Sequence, residues 1–312
     1  MKKRLLTGLQ PSGNLHLGNY FGALKPFVDL YKDYDSHLMV VDYHALTTVK
    51  DPAVLRQNTI DVIKDYLAAG VNPEEAIIFK QSDVPEHTEL AWIFECLVSV
   101  SFLELAHAYK DKVAKGLEAN AGLFNYPMLM AADILLYDTN VVPVGRDQKQ
   151  HVEYAREASN KFNLAYGDTF GEPQEMIIEG VGVVPGIDGQ KMSKSYKNTV
   201  PLFGTKDEIA KAVMSIVTNS SGERPENVYA IHKLFKSEDE LKDLYATNAG
   251  SYKILKEALI EDIESVVAPM REKRDAITEA DVSAVLKAGA EKAKERASAK
   301  MIEVRKKIGV TI

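Results

Sequence analysis

The chain has 312 residues and a mass of 34.6 kDa, a size that suits one large domain and a smaller one with ample length for a buried core. With 46% hydrophobic and 27% charged residues it is neither a disordered chain, a collagen-like repeat nor a disulfide scaffold. The net charge of −7 argues against nonspecific coating of DNA. No run of about 18 apolar residues announces a membrane span. Leu5-Leu6, behind Lys2-Lys3-Arg4, is too short for the apolar region of a signal peptide, so a cytoplasmic protein with no membrane partner is expected. Cys96 is the single cysteine, which forbids an intrachain disulfide and a Cys-rich metal site; its apolar neighbours predict a buried, inert thiol.

Short β-rich runs alternate with helical patterns through the first half. Strands are read at Arg4–Leu9, His37–Val41, Ala76–Lys80 and Val141–Val144, with helices following from about Leu17, Pro52, Glu86 and Asp147. That alternation predicts an α/β fold with a doubly wound parallel sheet, in which ligands bind beyond the carboxyl ends of the strands. The stretch from Val181 to Thr199 is rich in Gly, Pro, Lys and Ser without a period, and reads as a long functional loop. From Lys206 onward only helical periodicity remains, with turn signals at Asn219-Ser220-Ser221-Gly222 and at Gly250. The expected organisation is a catalytic domain over 1–199, a helical domain over 200–285 and a C-terminal helix over 286–312 able to pack back on the catalytic domain. Between Lys287 and Lys307 eight cations stand against three carboxylates, either a solvated helix face or a surface for a polyanion.

Two loops carry the chemistry. Gly8-Leu9-Gln10-Pro11-Ser12-Gly13-Asn14-Leu15-His16-Leu17-Gly18-Asn19-Tyr20 follows the first strand and opens the first helix, a place where backbone N–H groups meet an anion. Its glycines do not form the dinucleotide fingerprint, and no phosphate-binding Gly-x-x-x-x-Gly-Lys-Ser/Thr loop occurs. His16 and Asn19 share one face of the helix entrance, and Gly18 removes a side chain that would block a nucleotide; a simple helix cap accounts for the same residues. The second loop, Lys191-Met192-Ser193-Lys194-Ser195, can bring two ammonium groups to a polyphosphate, where they would neutralise charge that develops on a leaving pyrophosphate; a solvated loop accounts for the same residues.

On the helix Tyr126–Tyr137, residues Tyr126, Met130, Asp133 and Tyr137 are spaced to share one face. An aromatic ring, a thioether and a carboxylate suit an indole, which needs flat apolar contact and one acceptor for its N–H. A carboxylate between Ala131-Ala132 and Ile134-Leu135 is costly to bury without a partner. His44 follows the second strand, where the ligand crevice is expected. Asp147 and Gln150 have the spacing of a capping box.

His16-Leu17-Gly18-Asn19 together with Lys191-Met192-Ser193-Lys194-Ser195 resembles the two signature motifs of the class I aminoacyl-tRNA synthetases, with Asn19 in place of the final His of the first. More narrowly, Gln10-Pro11-Ser12-Gly13, Gly18-Asn19-Tyr20, Met130-Ala131-Ala132-Asp133-Ile134-Leu135-Leu136-Tyr137 and Val142-Pro143-Val144-Gly145-Arg146-Asp147-Gln148-Lys149-Gln150-His151 resemble the bacterial tryptophanyl-tRNA synthetase family. The resemblance implies a Rossmann-like catalytic domain with an all-helical C-terminal domain. It implies a homodimer that uses ATP with Mg2+, L-tryptophan and tRNA(Trp), holds no structural metal, and reads the anticodon with its helical domain.

Carried over residue by residue, it places His16, Asn19, Lys191 and Lys194 in catalysis. ATP would meet Gln10, Pro11, Ser12, Gly18, Asn19, Gly145, Arg146, Asp147, Val183, Lys191, Met192, Ser193, Lys194 and Ser195. Tryptophan would meet Asp133 through the indole nitrogen, with Tyr126, Met130, Gln148 and His44 around it. Many relatives have Gly-Glu-Asp where this chain has Gly145-Arg146-Asp147, and Gln where it has Tyr43.

Three other readings share these features. A tyrosyl-tRNA synthetase would need a second polar partner for a phenol hydroxyl. A small-molecule nucleotidylyltransferase would not need the basic helical C-terminal region. A regulatory protein without activity would not need both lysines of the second loop.

Overall fold

The structure is a computed structural model that describes residues 2–116, 118–144, 149–177, 184–218 and 224–311. β1 (Arg4–Leu9) leads to α1 (Leu17–Asn19), which continues through a π-helical turn at Tyr20–Leu24 into α2 (Lys25–Leu30). β2 (Asp35–Val40), α3 (Asp42–Ala45), α4 (Pro52–Ala68) and β3 (Ala76–Lys80) follow. The chain then forms α5 (Glu86–Glu95), α6 (Val100–Leu103), α7 (His107–Ala114), α8 (Ala121–Leu135), β4 (Val141–Val144), α9 (Lys149–Tyr166) and β5 (Gln174–Ile177). The five strands pair in parallel in the order β3-β2-β1-β4-β5, so the order reverses between β1 and β4, the doubly wound arrangement expected.

Alternation along the strands sends side chains to opposite faces. Leu5, Leu9, Leu38, Val40 and Ile78 pack on one side with α2, α4 and helices from the second half, whereas Leu6, Met39, Ile77 and Phe79 pack on the other with α5, α8 and α9. Two differences from the sequence reading concern strands. β2 starts at Asp35, because Asp35 and Ser36 hold register with Arg4 and Leu5 although both are polar. β5 was unexpected: Gln174-Glu175-Met176-Ile177 lies at the sheet edge, where side chains need not be apolar.

The second half is helical: α10 (Lys206–Met214), α11 (Glu226–His232), α12 (Glu238–Thr247), α13 (Tyr252–Ala276) and α14 (Glu279–Lys307). Capping boxes Thr205/Glu208, Ser237/Glu240 and Thr278/Asp281 start α10, α12 and α14 by satisfying orphan N–H groups at both ends of each box. Val200, Leu202, Ile209, Val213, Leu259 and Ile263 share the core of the first sheet face rather than closing one of their own.

α14 wraps the β3 edge. Its Val282 and Leu286 belong to the first core, its Ala293, Ala297, Met301 and Val304 to the second, and Gly289 stands at the crossing. A Cβ on Gly289 would lie 1.7 Å from the Ile78 carbonyl oxygen, so helix and edge strand meet backbone to backbone. The strap covers an edge that would otherwise be open to another strand. Three of its cations are spent on this docking: Arg296 reaches Asp35 at 2.8 Å and His37 Nε2 at 2.9 Å, Lys300 reaches Asp138 at 2.7 Å, and Arg305 reaches Glu89. Of the two readings left open for this helix, a solvated face or a surface for a polyanion, neither takes in Arg296 and Lys300, while Lys292 and Lys294 remain exposed. No helix among the described residues is long and apolar enough to cross a membrane.

Cys96 corrects its expectation. It caps the end of α5 and is exposed, because Phe94 and not its neighbour turns inward there.

Candidate active site

The two signature loops meet beyond the carboxyl end of β1. His16 is the N-cap of α1: its Nδ1 accepts from the Asn19 N–H at 3.3 Å while Asn19 Oδ1 accepts from the His16 N–H at 3.2 Å. The helix cap and the functional pair are thus the same two residues. Burial, with the Lys194 charge nearby, lowers the His16 pKa to about 4, so the ring is neutral. Since Nδ1 accepts, the proton sits on Nε2 and the ring offers an N–H donor.

The Lys-Met-Ser-Lys-Ser segment docks on this cap. The Gly18 N–H points to Met192 Sδ at 3.2 Å, and Lys194 Nζ donates to the Ser12 carbonyl at 2.9 Å. Backbone bonds Leu17 N–H to Val200 O and Leu202 N–H to Leu15 O zip the flanks together. Gly18 is needed for a reason the sequence did not show: a Cβ there would meet His16 Nδ1 at 2.9 Å and Met192 Cβ at 3.2 Å, so it clears space for the cap and the second loop. Between the loops lies a cavity of about 350 Å³ lined by His16, Gly18, Asn19, Lys191, Met192, Ser193, Ser195 and Tyr196. Gln10 and Pro11 lie upstream of Ser12, with the Pro11 carbonyl held by Asn58 Nδ2 at 3.2 Å.

The described part of the second loop is more ordered than its composition suggested. Pro185 bridges Lys191, the Met192 N–H donates to Val184 O at 2.8 Å, and Lys194–Tyr196 form a 3-10 turn. Buried Asn198 holds it: Oδ1 accepts from the Ser193 N–H at 2.8 Å, and Nδ2 donates to Asp188 Oδ1 at 2.8 Å and to Lys191 O at 3.1 Å. Nothing in the sequence singled out Asn198.

The second cluster surrounds Asp133 on α8, 3% exposed. His44 Nε2 stands 2.9 Å from its Oδ2, His87 Nδ1 stands 2.7 Å from its Oδ1, and Gln81 Nε2 donates to both oxygens at 2.7 and 3.0 Å. Burial raises the pKa of this carboxyl, but the hydrogen bonds and charges of His44 and His87 outweigh it and bring the value down to about 2. Tyr126 packs edge-on to His44 with ring centroids 6.3 Å apart, and half-buried Met130 lies one turn before Asp133. These four expected residues are therefore together.

Tyr137 is not a pocket wall. It lies in the core against Phe79 and His37, since α8 ends at Leu135, and its hydroxyl meets His87 Nε2 at 2.8 Å. Gln81 and His87 escaped the sequence reading. Gln81 directly follows β3, so the same strand-end rule that pointed to His44 would have found it; His87 carries no such signal. Gly145, Arg146, Asp147, Gln148 and Val183 lie outside the described residues.

The profile of the family described as tRNA synthetases class I (W and Y) matches residues 1–286. The chain belongs to this family. It is 45% identical over 319 residues to the tryptophan–tRNA ligase of Fusobacterium nucleatum, covering 99% of this chain and 98% of that one. It is 43% identical to the tryptophan–tRNA ligase of Rhodopirellula baltica, covering 98% and 99% of the two chains. A crystal structure of tryptophanyl-tRNA synthetase from Campylobacter jejuni complexed with ADP and tryptophan superimposes with a TM-score of 0.92 at 42% identity, covering 98% of this chain and 99% of that chain. The sheet order, the helical second half and both signature loops described above are thus those of a class I synthetase.

Proposed function

We propose that this synthetase is a tryptophan–tRNA ligase that makes tryptophanyl-adenylate from L-tryptophan and ATP, then esterifies the 3′ end of tRNA(Trp). The substrate carboxylate attacks the α-phosphorus, a new C–O–P linkage forms, and the bond to the β-phosphate breaks to release pyrophosphate. Transfer to the terminal ribose hydroxyl then releases AMP. No enzyme nucleophile is needed, so the protein contributes position and charge.

Phosphates are met by the neutral His16 Nε2–H, by Asn19 and by Lys191, with Gln10, Pro11, Ser12, Gly18, Met192, Ser193 and Ser195 forming the surrounding walls. Lys194 leaves the Ser12 carbonyl to follow the departing pyrophosphate. Magnesium arrives on ATP as part of that substrate. Gly145, Arg146, Asp147 and Val183 are assigned to ATP, and Gln148 to the amino acid, on the family motif alone.

The observation that carries tryptophan rather than tyrosine is the ionised Asp133. It is an acceptor, met by the Gln81 amide and by ring nitrogens of His44 and His87 at 2.9 and 2.7 Å, so the pocket suits an N–H donor better than a hydroxyl that must both give and receive. Tyr126, Met130 and His44 complete the pocket.

In this reading the helical region from about residue 200 takes the anticodon side of tRNA, and the protein works in the cytoplasm, where its substrates tRNA and ATP are found. A homodimer is supported by exposed Trp92, Val100 and Leu105 along α5, α6 and the turn after them.

Pyrophosphate exchange driven by each of the twenty amino acids tests the reading. Exchange with tryptophan alone is expected, whereas exchange with tyrosine, or with none, overturns it.

A further inference from the structure

Asp133 can select an indole only if it stays ionised and keeps one orientation inside an apolar helix, and α8 alone supplies neither condition. Its neighbours Ala132 and Ile134 are buried and have no polar side chain. Three side chains from two other strand ends and from α5 supply both. His44, with a side chain 14% exposed, is the least buried of the three; Gln81 and His87 are each 0% exposed.

The two buried partners are themselves constrained. The Gln81 amide lies across the fork of the carboxylate and reaches both oxygens, while its own carbonyl oxygen is buried with no hydrogen-bond partner among the described residues. A buried amide that leaves its acceptor unpaired is held for the sake of its donor. His87 is fixed at its far nitrogen. Burial, with the charges of Asp133 and Glu86 nearby, raises the Tyr137 pKa, so the phenol keeps its proton and donates to His87 Nε2. With Nε2 accepting, the ring proton sits on Nδ1, which stands within ion-pair distance of Asp133 Oδ1, 2.7 Å away. Tyr137 is in turn packed against Phe79 of β3, with ring centroids 5.5 Å apart, so this line of contacts ends in the sheet.

We propose that Gln81 and His87, the latter oriented by Tyr137, are positioning residues for amino-acid selection: from the buried side they hold Asp133 as a fixed carboxylate whose open side receives the indole N–H. This rests on Asp133 being the acceptor for the indole. Neither residue touches the substrate, so their effect must pass through Asp133 and must be confined to the part of binding that depends on the N–H group.

That confinement supplies the test. Pyrophosphate exchange is measured with L-tryptophan and with its isostere β-(3-benzothienyl)-L-alanine, in which sulfur replaces the N–H, and the ratio of the two kcat/KM values is compared between variants. Gln81→Leu and His87→Leu are expected to lower the ratio about tenfold or more, with the KM for ATP unchanged. His87→Asn, whose amide can stand where Nδ1–H stood, should restore most of it. Tyr137→Phe removes a single oxygen and should lower the ratio by about threefold, and it decides the matter if the leucine variants do not fold.

Asp133→Asn separates the two levels. If it leaves the ratio unchanged, Asp133 is not the indole acceptor and the assignment of Gln81 and His87 falls with it. If it collapses the ratio while Gln81→Leu, His87→Leu and Tyr137→Phe all preserve it, Asp133 selects without them and only the positioning role is overturned.

Discussion

Lys194 donates to the Ser12 carbonyl, and in the proposed reaction it leaves that carbonyl for the departing pyrophosphate, which puts its proposed contribution in the transition state. Lys191→Ala and Lys194→Ala are expected to lower the single-turnover rate of adenylate formation by one hundredfold or so, about 2.7 kcal/mol, with little change in ATP affinity. A rise in KM for ATP at constant turnover would instead mark them as passive binders. The buried histidines give a second residue-scale expectation. His16 and His37 both have pKa values lowered from 6.5 to about 4, by burial and then by the charges of Lys194 and Arg296 respectively. The unfolded chain takes up these protons near pH 6.5 and the folded one does not, so stability falls as pH drops from about 6.5 to about 4, by at most roughly 3 kcal/mol for the buried His37. Asp65 works the other way: burial raises its pKa to about 6 despite Arg274, so it adds stability as pH falls from 6 to about 4. Burial also lowers the His232 pKa and raises that of Glu95, so three histidines stand against two carboxyls and leave a net loss. Melting temperatures between pH 7 and 4.5 check this, and a flat profile would contradict it.

At the scale of elements, α14 is decided by one glycine and a few cations. Replacing Gly289 by Ala favours an isolated helix by about 1 kcal/mol, but the new Cβ would fall on the Ile78 carbonyl. Helix and strand must then separate, and Gly289→Ala is expected to lower stability by about 1–3 kcal/mol net in urea titrations. A stabilised variant would mean that the strap does not press on β3. The charges divide in the same way. Arg296 and Lys300 hold Asp35, His37 and Asp138, so Arg296→Ala with Lys300→Ala should cost about 1–3 kcal/mol of stability. Lys292 and Lys294 are exposed on the same helix, and their double Ala variant should melt normally while reducing the salt slope of tRNA binding by about two units. An unaltered slope places the tRNA elsewhere on the helical region.

For the whole molecule, the exposed side chains of α5 and α6 bear on assembly. Trp92 is 67% exposed and Val100 65%, an unusual position for the chain's single tryptophan. Sedimentation velocity is expected to show a dimer for the parent chain and a monomer for Trp92→Glu. A Trp92→Glu dimer as tight as the parent would put the interface on another face. Because α14 joins both cores, and because Arg274 of α13 grips Asp61 and Asp65 of α4, the helical half and the sheet are expected to melt together.

Short-range patterns carried what the sequence by itself determined: four of the five strands, the starts of the helices after the first three of them, the alternation that marks a doubly wound sheet, and both signature loops. These depend on neighbouring residues or on periods of two and 3.6, which can be read along a chain. The hydrogen bond between His16 and Asn19 is of that kind. So is the face of α8 shared by Tyr126, Met130 and Asp133. Only the tertiary structure decided the rest. Gln81 and His87 reach Asp133 across 52 and 46 positions, and Asn198 shapes the lysine loop by side-chain bonds that no composition reveals. β5 lacked a pattern because an edge strand need not bury both faces. The basic run of the C-terminal helix and its ability to pack back were legible because charge along one segment is visible in sequence, whereas the partners Asp35, Asp138 and Glu89 that divide its cations are supplied by distant elements and meet it only once the strap closes over β3.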